Sequence, residues 1–157
     1  MYAKRKAWKD ARTVFLKCCK ERVSTNSWFY LGLSMLRLGE LSQAEDAISQ
    51  ANILDNTNPK IWGLMTILCL TTGAERLSQA NMSFKEALRL GLKDQQILEE
   101  IGDLYLNLQD LDQGLVAYQY LVNFSPQYPD GLRKYAEVLE DPHCRNQNID
   151  LAIDYFK

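Results

Sequence analysis

Histidine is almost missing from this chain: one residue, His143, stands among 157. Its neighbour Cys144 cannot form a nucleophile–base pair with it without a third group, so acid–base and nucleophilic constellations have little raw material. Cysteine is scarce as well. Cys18, Cys19, Cys69 and Cys144 form no C-x-x-C pair and are too sparse for a disulfide scaffold, which excludes the common zinc sites and fits reduced thiols in a cytosolic compartment. No glycine-rich phosphate loop, H-E-x-x-H or G-x-S-x-G occurs. The densest apolar stretch, Ile61 to Leu70, is about half the ~18 residues a spanning helix needs. The basic start Met1-Tyr2-Ala3-Lys4-Arg5-Lys6 leads into no apolar segment, so it does not read as a secretory signal. These gaps argue against an enzyme, a cofactor or metal, and membrane insertion.

What is present is the material of a folded chain: 46% hydrophobic and 24% charged residues. The net charge of −2 hides an uneven spread. Residues 1–22 carry eight basic residues against Asp10 and Glu21, a local +6 that leaves about −8 on the rest. Lys4, Arg5, Lys9 and Arg12 therefore form a candidate basic surface for an acidic partner, such as tubulin's acidic tails or an acidic groove in a neighbouring repeat; an ordinary solvated helix face is the plain alternative. Nucleic acid is not expected, because the remaining surface repels phosphate.

Trp28 and Trp62 are 34 residues apart. Around Trp28, Leu31-Gly32 supplies a large–small pair, Gly39 closes a first helix, and Ala44, Ile48 and Ala51 follow at small, large and small positions of a second. Ser42 and Glu45 have the S-x-x-E spacing of a capping box at the start of that second helix. The next unit opens on Asn58-Pro59, an N-cap followed by proline, and carries Trp62, Gly73, then Ala80, Phe84 and Ala87 after a longer turn through residues 74–78. A third unit has Asp94 as N-cap, Ile101-Gly102, Tyr105, Gly114, Tyr118, Leu121 and the terminator Pro126. A fourth has Pro129, Leu132, Tyr135-Ala136 and Leu139, a polar turn, and a second helix capped by Asn148 with Ala152 and Phe156.

A 34-residue period of paired helices is that of the tetratricopeptide repeat, in which each unit packs only on its neighbours. The expected architecture is all-α: a right-handed superhelix of antiparallel helix pairs, nine helices in all, forming one array. Its segments are residues 3–22 as the second helix of a partial repeat, then repeats over 25–57, 58–93, 94–127 and 128–157. The ends fall inside repeats, so further repeats of the same chain are expected to pack at both ends.

The stretch from Leu31 to Ile48, its continuation Ala51-Asn52-Ile53-Leu54-Asp55-Asn56 through Ile61-Trp62 to Leu68-Cys69-Leu70, and Leu90-Gly91-Leu92-Lys93-Asp94 resemble the carboxy-terminal repeats of the cilia- and flagella-associated protein 70 family, also known as tetratricopeptide repeat protein 18. The resemblance covers roughly residues 8–105. It implies a non-catalytic scaffold that holds axonemal or cytoskeletal proteins in a cilium or flagellum and serves motility. A cytoplasmic peptide-binding adaptor, or a regulatory subunit of a larger enzyme complex, remains the alternative.

In such an array the first helix of each pair lines a concave groove. Repeat spacing assigns to it Phe29, Leu33 and Leu36, then Gly63, Ile67 and Leu70, then Glu99, Asp103 and Leu106, and finally Arg133, Glu137 and Glu140. The groove is thus expected to grade from apolar to acidic, suiting a peptide with hydrophobic anchors at one end and Lys or Arg at the other. Covering of the apolar residues by neighbouring helices is the alternative. Phe29 and Leu33 stand where a carboxylate-clamp repeat would need Lys and Asn, so that mode of peptide capture is not expected.

Overall fold

The computed structural model describes residues 2–142. Eight α-helices follow one another: α1 Tyr2–Glu21, α2 Thr25–Arg37, α3 Leu41–Leu54, α4 Pro59–Thr72, α5 Leu77–Arg89, α6 Gln95–Asn107, α7 Leu111–Phe124 and α8 Pro129–Glu140. The expected ninth helix, with Asn148, Ala152 and Phe156, lies outside the described residues, as do His143 and Cys144.

Local chemistry sets the helix starts. The side chains of Ser24, Asn58, Asp94 and Asp110 accept from the amides of Ser27, Lys60, Ile97 and Gln113, each satisfying one donor that the first turn leaves free. The Ser42–Glu45 box does not form. Helix α3 already begins at Leu41, with Glu40 at the N-cap and no side-chain cap bond. The cause lies one turn earlier: the Glu40 amide donates to the Met35 carbonyl at 2.9 Å, closing the α2–α3 turn tightly around Gly39 at φ 79° and drawing Ser42 into the helix. The turn between α6 and α7 repeats this geometry, Asp110 donating to Tyr105 at 2.9 Å, but the left-handed position is held by Gln109 at φ 61°.

The longer turn after Gly73 is filled by a single 3-10 turn, Ala74–Arg76. Arg76 reaches back to Glu45 on α3 with hydrogen bonds of 2.7 and 3.1 Å, so the two added residues tie one repeat to the previous one.

Helices pack in antiparallel pairs, α2 on α3, α4 on α5 and α6 on α7, while α4 also packs on α3 and α6. The large–small signature explains how closely. A Cβ on Gly32 would sit 2.7 Å from Ile48, and one on Gly102 would sit 2.7 Å from the ring of Tyr118, so each glycine is the hollow that receives the large residue of the second helix. Ile48 and Tyr118 are fully buried there, Phe84 is fully buried at the same place on α5 although α4 carries Thr66 where α2 has Gly32, and Ala44, Ala80 and Ala117 allow the close approach. One continuous core runs from α2 to α8. A smaller cluster of Cys19, Leu31 and Ala47, with Phe15 and Trp28 against it, ties α1 to the array, and Phe15 stacks on Tyr30 at 5.3 Å.

Candidate protein-binding site

Helices α2, α4, α6 and α8 are the first helices of their pairs, and the positions assigned to the groove divide into three groups. Phe29 and Leu33 are half-buried, packed against the core edge. Leu36, Ile67 and Leu70 belong to the core itself, with Ile67 1% and Leu70 3% exposed. The expectation that these three form an open apolar groove is therefore corrected. Helix α4 is flanked on both sides, by α2 and α6, and the array closes over them. Gly63 is likewise a packing position: a Cβ there would lie 2.7 Å from Ile97 on α6.

A bridge marks this closure. Arg37, at the end of α2, pairs with Glu100 of α6 through both guanidinium nitrogens, one at 2.6 Å, across a separation of 63 residues. It links the first repeat to the third past α4, in a fold where contacts ordinarily run between neighbours. The bond to Glu100 raises the Arg37 pKa further, against the opposing effect of burial, so the guanidinium stays charged.

The acidic end is also altered. Glu99 accepts from the Tyr128 hydroxyl at 2.8 Å and from Lys134 Nζ at 2.7 Å. Asp103 accepts from Lys134 at 3.0 Å and from the Tyr118 hydroxyl. Burial pulls the Lys134 ammonium down, but its bonds to Glu99 and Asp103 outweigh that and raise it overall. Glu99 and Asp103 thus share one internal cation and are engaged in hydrogen bonds, and the expectation of a free acidic groove is corrected at those two positions. Arg133 and Glu137 remain exposed on α8, joined to each other at 3.1 Å, with Asp130 3.7 Å from Arg133. Between them and α6 lies a cavity of about 410 Å³ lined by Asp103, Leu106, Tyr118, Arg133, Lys134 and Glu137.

Sequence spacing missed Lys134, Arg37 and Glu100. Lys134 had a readable signal: it falls between the buried Gly131 and Val138, three and four residues away, on the side of α8 that meets α6. It also missed the outer side of the array, where α4 and α5 enclose a cavity of about 460 Å³ lined by Trp62, Met65, Cys69, Met82 and Ser83. Met82, 71% exposed, is shared with a second cavity against Gln113 and Val116 of α7.

On α1, Lys4, Arg5 and Lys9 are exposed, whereas Arg12 is ion-paired with Glu40 and only partly accessible. Burial pushes the Cys19 and Cys69 thiols up, away from the reactive thiolate. Among the described residues no group of three His, Cys, Asp or Glu could hold a metal ion, and no helix is long and apolar enough to cross a membrane.

Paired antiparallel helices, with glycine hollows at Gly32 and Gly102 and one core shared along the stack, define a tetratricopeptide-repeat array. Solved structures agree on this fold. A thermophilic TPR protein of Thermus thermophilus superposes with a TM-score of 0.70 at 16% identity, covering 99% of this chain and 91% of that one. The MamA structure gives 0.69 at 16% identity, covering 98% and 87%. A family model described as the cilia and flagella-associated protein 70 C-terminal domain matches residues 1–150, and the chain belongs to that family. The cilia- and flagella-associated protein 70 of Homo sapiens is 36% identical over 104 residues, covering 66% of this chain and 9% of that protein. That of Macaca fascicularis is also 36% identical over 104 residues, covering 66% and 10%. The chain thus spans about a tenth of the length of the curated relatives it matches.

Proposed function

We propose that this chain is a non-catalytic scaffold segment that holds protein partners within a ciliary or flagellar axonemal assembly and serves motility through those contacts. The observation that carries the reading is the family match over residues 1–150, whose description names cilia and flagella. The geometry supports the scaffold part. The large side chains Tyr105, Tyr118 and Phe84 are spent on packing, of the described thiols Cys19 and Cys69 are buried and Cys18 half-buried, and polar groups such as Lys134, Glu99 and Asp103 converge on inter-helix ties rather than on an open reaction centre.

Partner contact on the concave side falls to the exposed pair Arg133 and Glu137 beside the α6–α8 cavity, and to the half-buried Phe29 and Leu33. Further repeats of the same protein at both ends of the array belong to the same proposal, supported by relatives about seven times as long. Affinity purification with the tagged protein from ciliated and unciliated cells tests it. Axonemal proteins should be recovered from ciliated cells, and exchange of the charges, Arg133→Glu with Glu137→Arg, should reduce that recovery. Recovery of only soluble chaperone or transport factors would sink the axonemal reading.

A further inference from the structure

The cations of this chain fall into two populations. Through the repeats six of the eight described ones are tied by ion pairs, Arg37 to Glu100, Lys60 to Asp94, Arg76 to Glu45, Arg89 to Glu86, Arg133 to Glu137 and Lys134 to Glu99, and the other two, Lys85 and Lys93, are exposed and isolated from each other. On α1 and the residue beyond it, Lys4, Arg5, Lys6, Lys9, Lys20 and Arg22 are exposed and have no ion-pair partner among the described residues. Only Arg12 and Lys17 of that helix are engaged.

Helical spacing orders the cations of α1. Arg5, Lys9, Arg12, Leu16 and Lys20 are separated by three or four residues and share one face of α1, whereas Asp10 and Glu21 lie well round the helix from it with Lys17. The stripe runs about 22 Å along the helix at 1.5 Å per residue. Beside it, Trp8, Ala11, Phe15 and Cys19 form the edge that packs toward α2. Val14, 57% exposed, lies on the far side of the helix, so a preceding helix can pack there without covering the basic stripe. The helix also outruns its partner, with 20 residues against 13 in α2, and the surplus turns at its start carry Lys4, Arg5 and Lys6. Leu16, 40% exposed, gives the stripe one apolar contact.

We propose that this face of α1 docks an acidic polypeptide segment, a run of Glu or Asp with an apolar residue among the carboxylates. Charge complementarity favours it: residues 1–22 carry +6 with nearly all of it unpaired among the described residues, and the exposed Leu16 suits a polypeptide rather than a phosphate backbone. A long nucleic acid would run beyond the stripe onto a surface with a net charge of about −8. The proposal does not depend on where in the cell the protein works.

The test is fluorescence anisotropy with a labelled oligoglutamate peptide containing one leucine, titrated with the protein at about 50 and about 200 mM salt. Binding should weaken at the higher salt. The variant Arg5→Glu/Lys9→Glu/Lys20→Glu should bind at least about tenfold more weakly with its helical circular dichroism unchanged, whereas Lys85→Glu/Lys93→Glu should bind like wild type. Equal loss in both variants, no binding of the peptide, or tighter binding of a single-stranded DNA of equal charge would overturn the proposal. Salt-sensitive self-association abolished by the triple variant would also overturn it, because the occupant would then be a second copy of this chain.

Discussion

Replacing Gly102 by alanine sets two well-understood effects against each other, and the surroundings decide which wins. Alanine gains about 1 kcal/mol over glycine in a helix interior. Against that, the added methyl would lie 2.7 Å from Cε1 and 2.8 Å from Cζ of Tyr118. That ring is fully buried and its hydroxyl donates to Asp103, so it cannot retreat without giving up both packing and a hydrogen bond. Overpacking of a filled core costs about 1–3 kcal/mol and a weakened hydrogen bond to a carboxylate about 1–2 kcal/mol more. Gly102→Ala should therefore destabilise by about 1–4 kcal/mol. Gly114→Ala is the internal control, because it has the same helix gain while the nearest atom to its methyl would be the Cδ2 of Leu106 at 2.9 Å, the free end of a half-buried side chain that can rotate. It should be neutral or stabilising by up to about 1 kcal/mol. Urea unfolding followed by helical circular dichroism reads both, and the penalty of Gly102→Ala should shrink by at least about 1 kcal/mol in a Tyr118→Leu background. A Gly102→Ala protein as stable as wild type, or a penalty unchanged in that background, would show that the glycine is not there to receive the ring.

Three further outcomes follow from the same geometry. Lys134→Met leaves Glu99 and Asp103 facing each other without their shared cation, and thermal unfolding should show a loss of about 2 kcal/mol, reduced from the fully buried case because the lysine side chain is 21% exposed; a loss under about 0.5 kcal/mol would refute its bridging role. Gln109→Gly relieves a left-handed residue at φ 61° in a turn where the equivalent position is Gly39, and should stabilise by about 0.5–1 kcal/mol in the same assay; destabilisation would mean the glutamine side chain holds the turn. Burial holds the Tyr105 and Tyr118 phenols well above their ordinary 10.0, so the folded chain keeps two protons that the unfolded chain releases in alkali. Stability from these groups is fully present below about pH 10 and should fall above it by up to about 1.4 kcal/mol per pH unit for each; absorbance of tyrosinate rising for all eight tyrosines before any helix is lost would contradict this.

The repeat was legible in the sequence because its signals are local. Asn58 before Pro59, Asp94 three residues ahead of the amide it caps, and the glycine hollows at Gly32 and Gly102 each act within a turn or between two adjoining helices, so spacing alone places them. The capping box failed for an equally local reason that spacing does not show. Ser42 and Glu45 are correctly separated, but the turn around Gly39 closes one residue too early for Ser42 to stand outside the helix, which leaves Glu45 free to take Arg76 instead.

The polarity of the groove was not legible, and the cause is geometric. Assigning a residue to the concave side requires its angle around its own helix; knowing whether it is exposed there requires the angle between repeats, a sum of small rotations that no single position encodes. Ile67 and Leu70 sit on a first helix, as their spacing requires, and are nonetheless core, because the array curves far enough for Arg37 to reach Glu100 over the intervening helix. The same closure moves the charged surface. Once Lys134 is drawn in against Glu99 and Asp103, and Arg37 against Glu100, those three carboxylates are engaged inside the molecule, while the net charge of about −8 outside residues 1–22 is unchanged, because such pairs remove cations and anions alike. The basic excess of α1 has no such internal outlet, since among the described residues only Glu40 and Glu21 reach its cations. The charge asymmetry read from composition therefore survives folding on both sides: ion pairs select which carboxylates hold repeats together, the acidic surplus remains, and α1 presents the basic excess to another molecule.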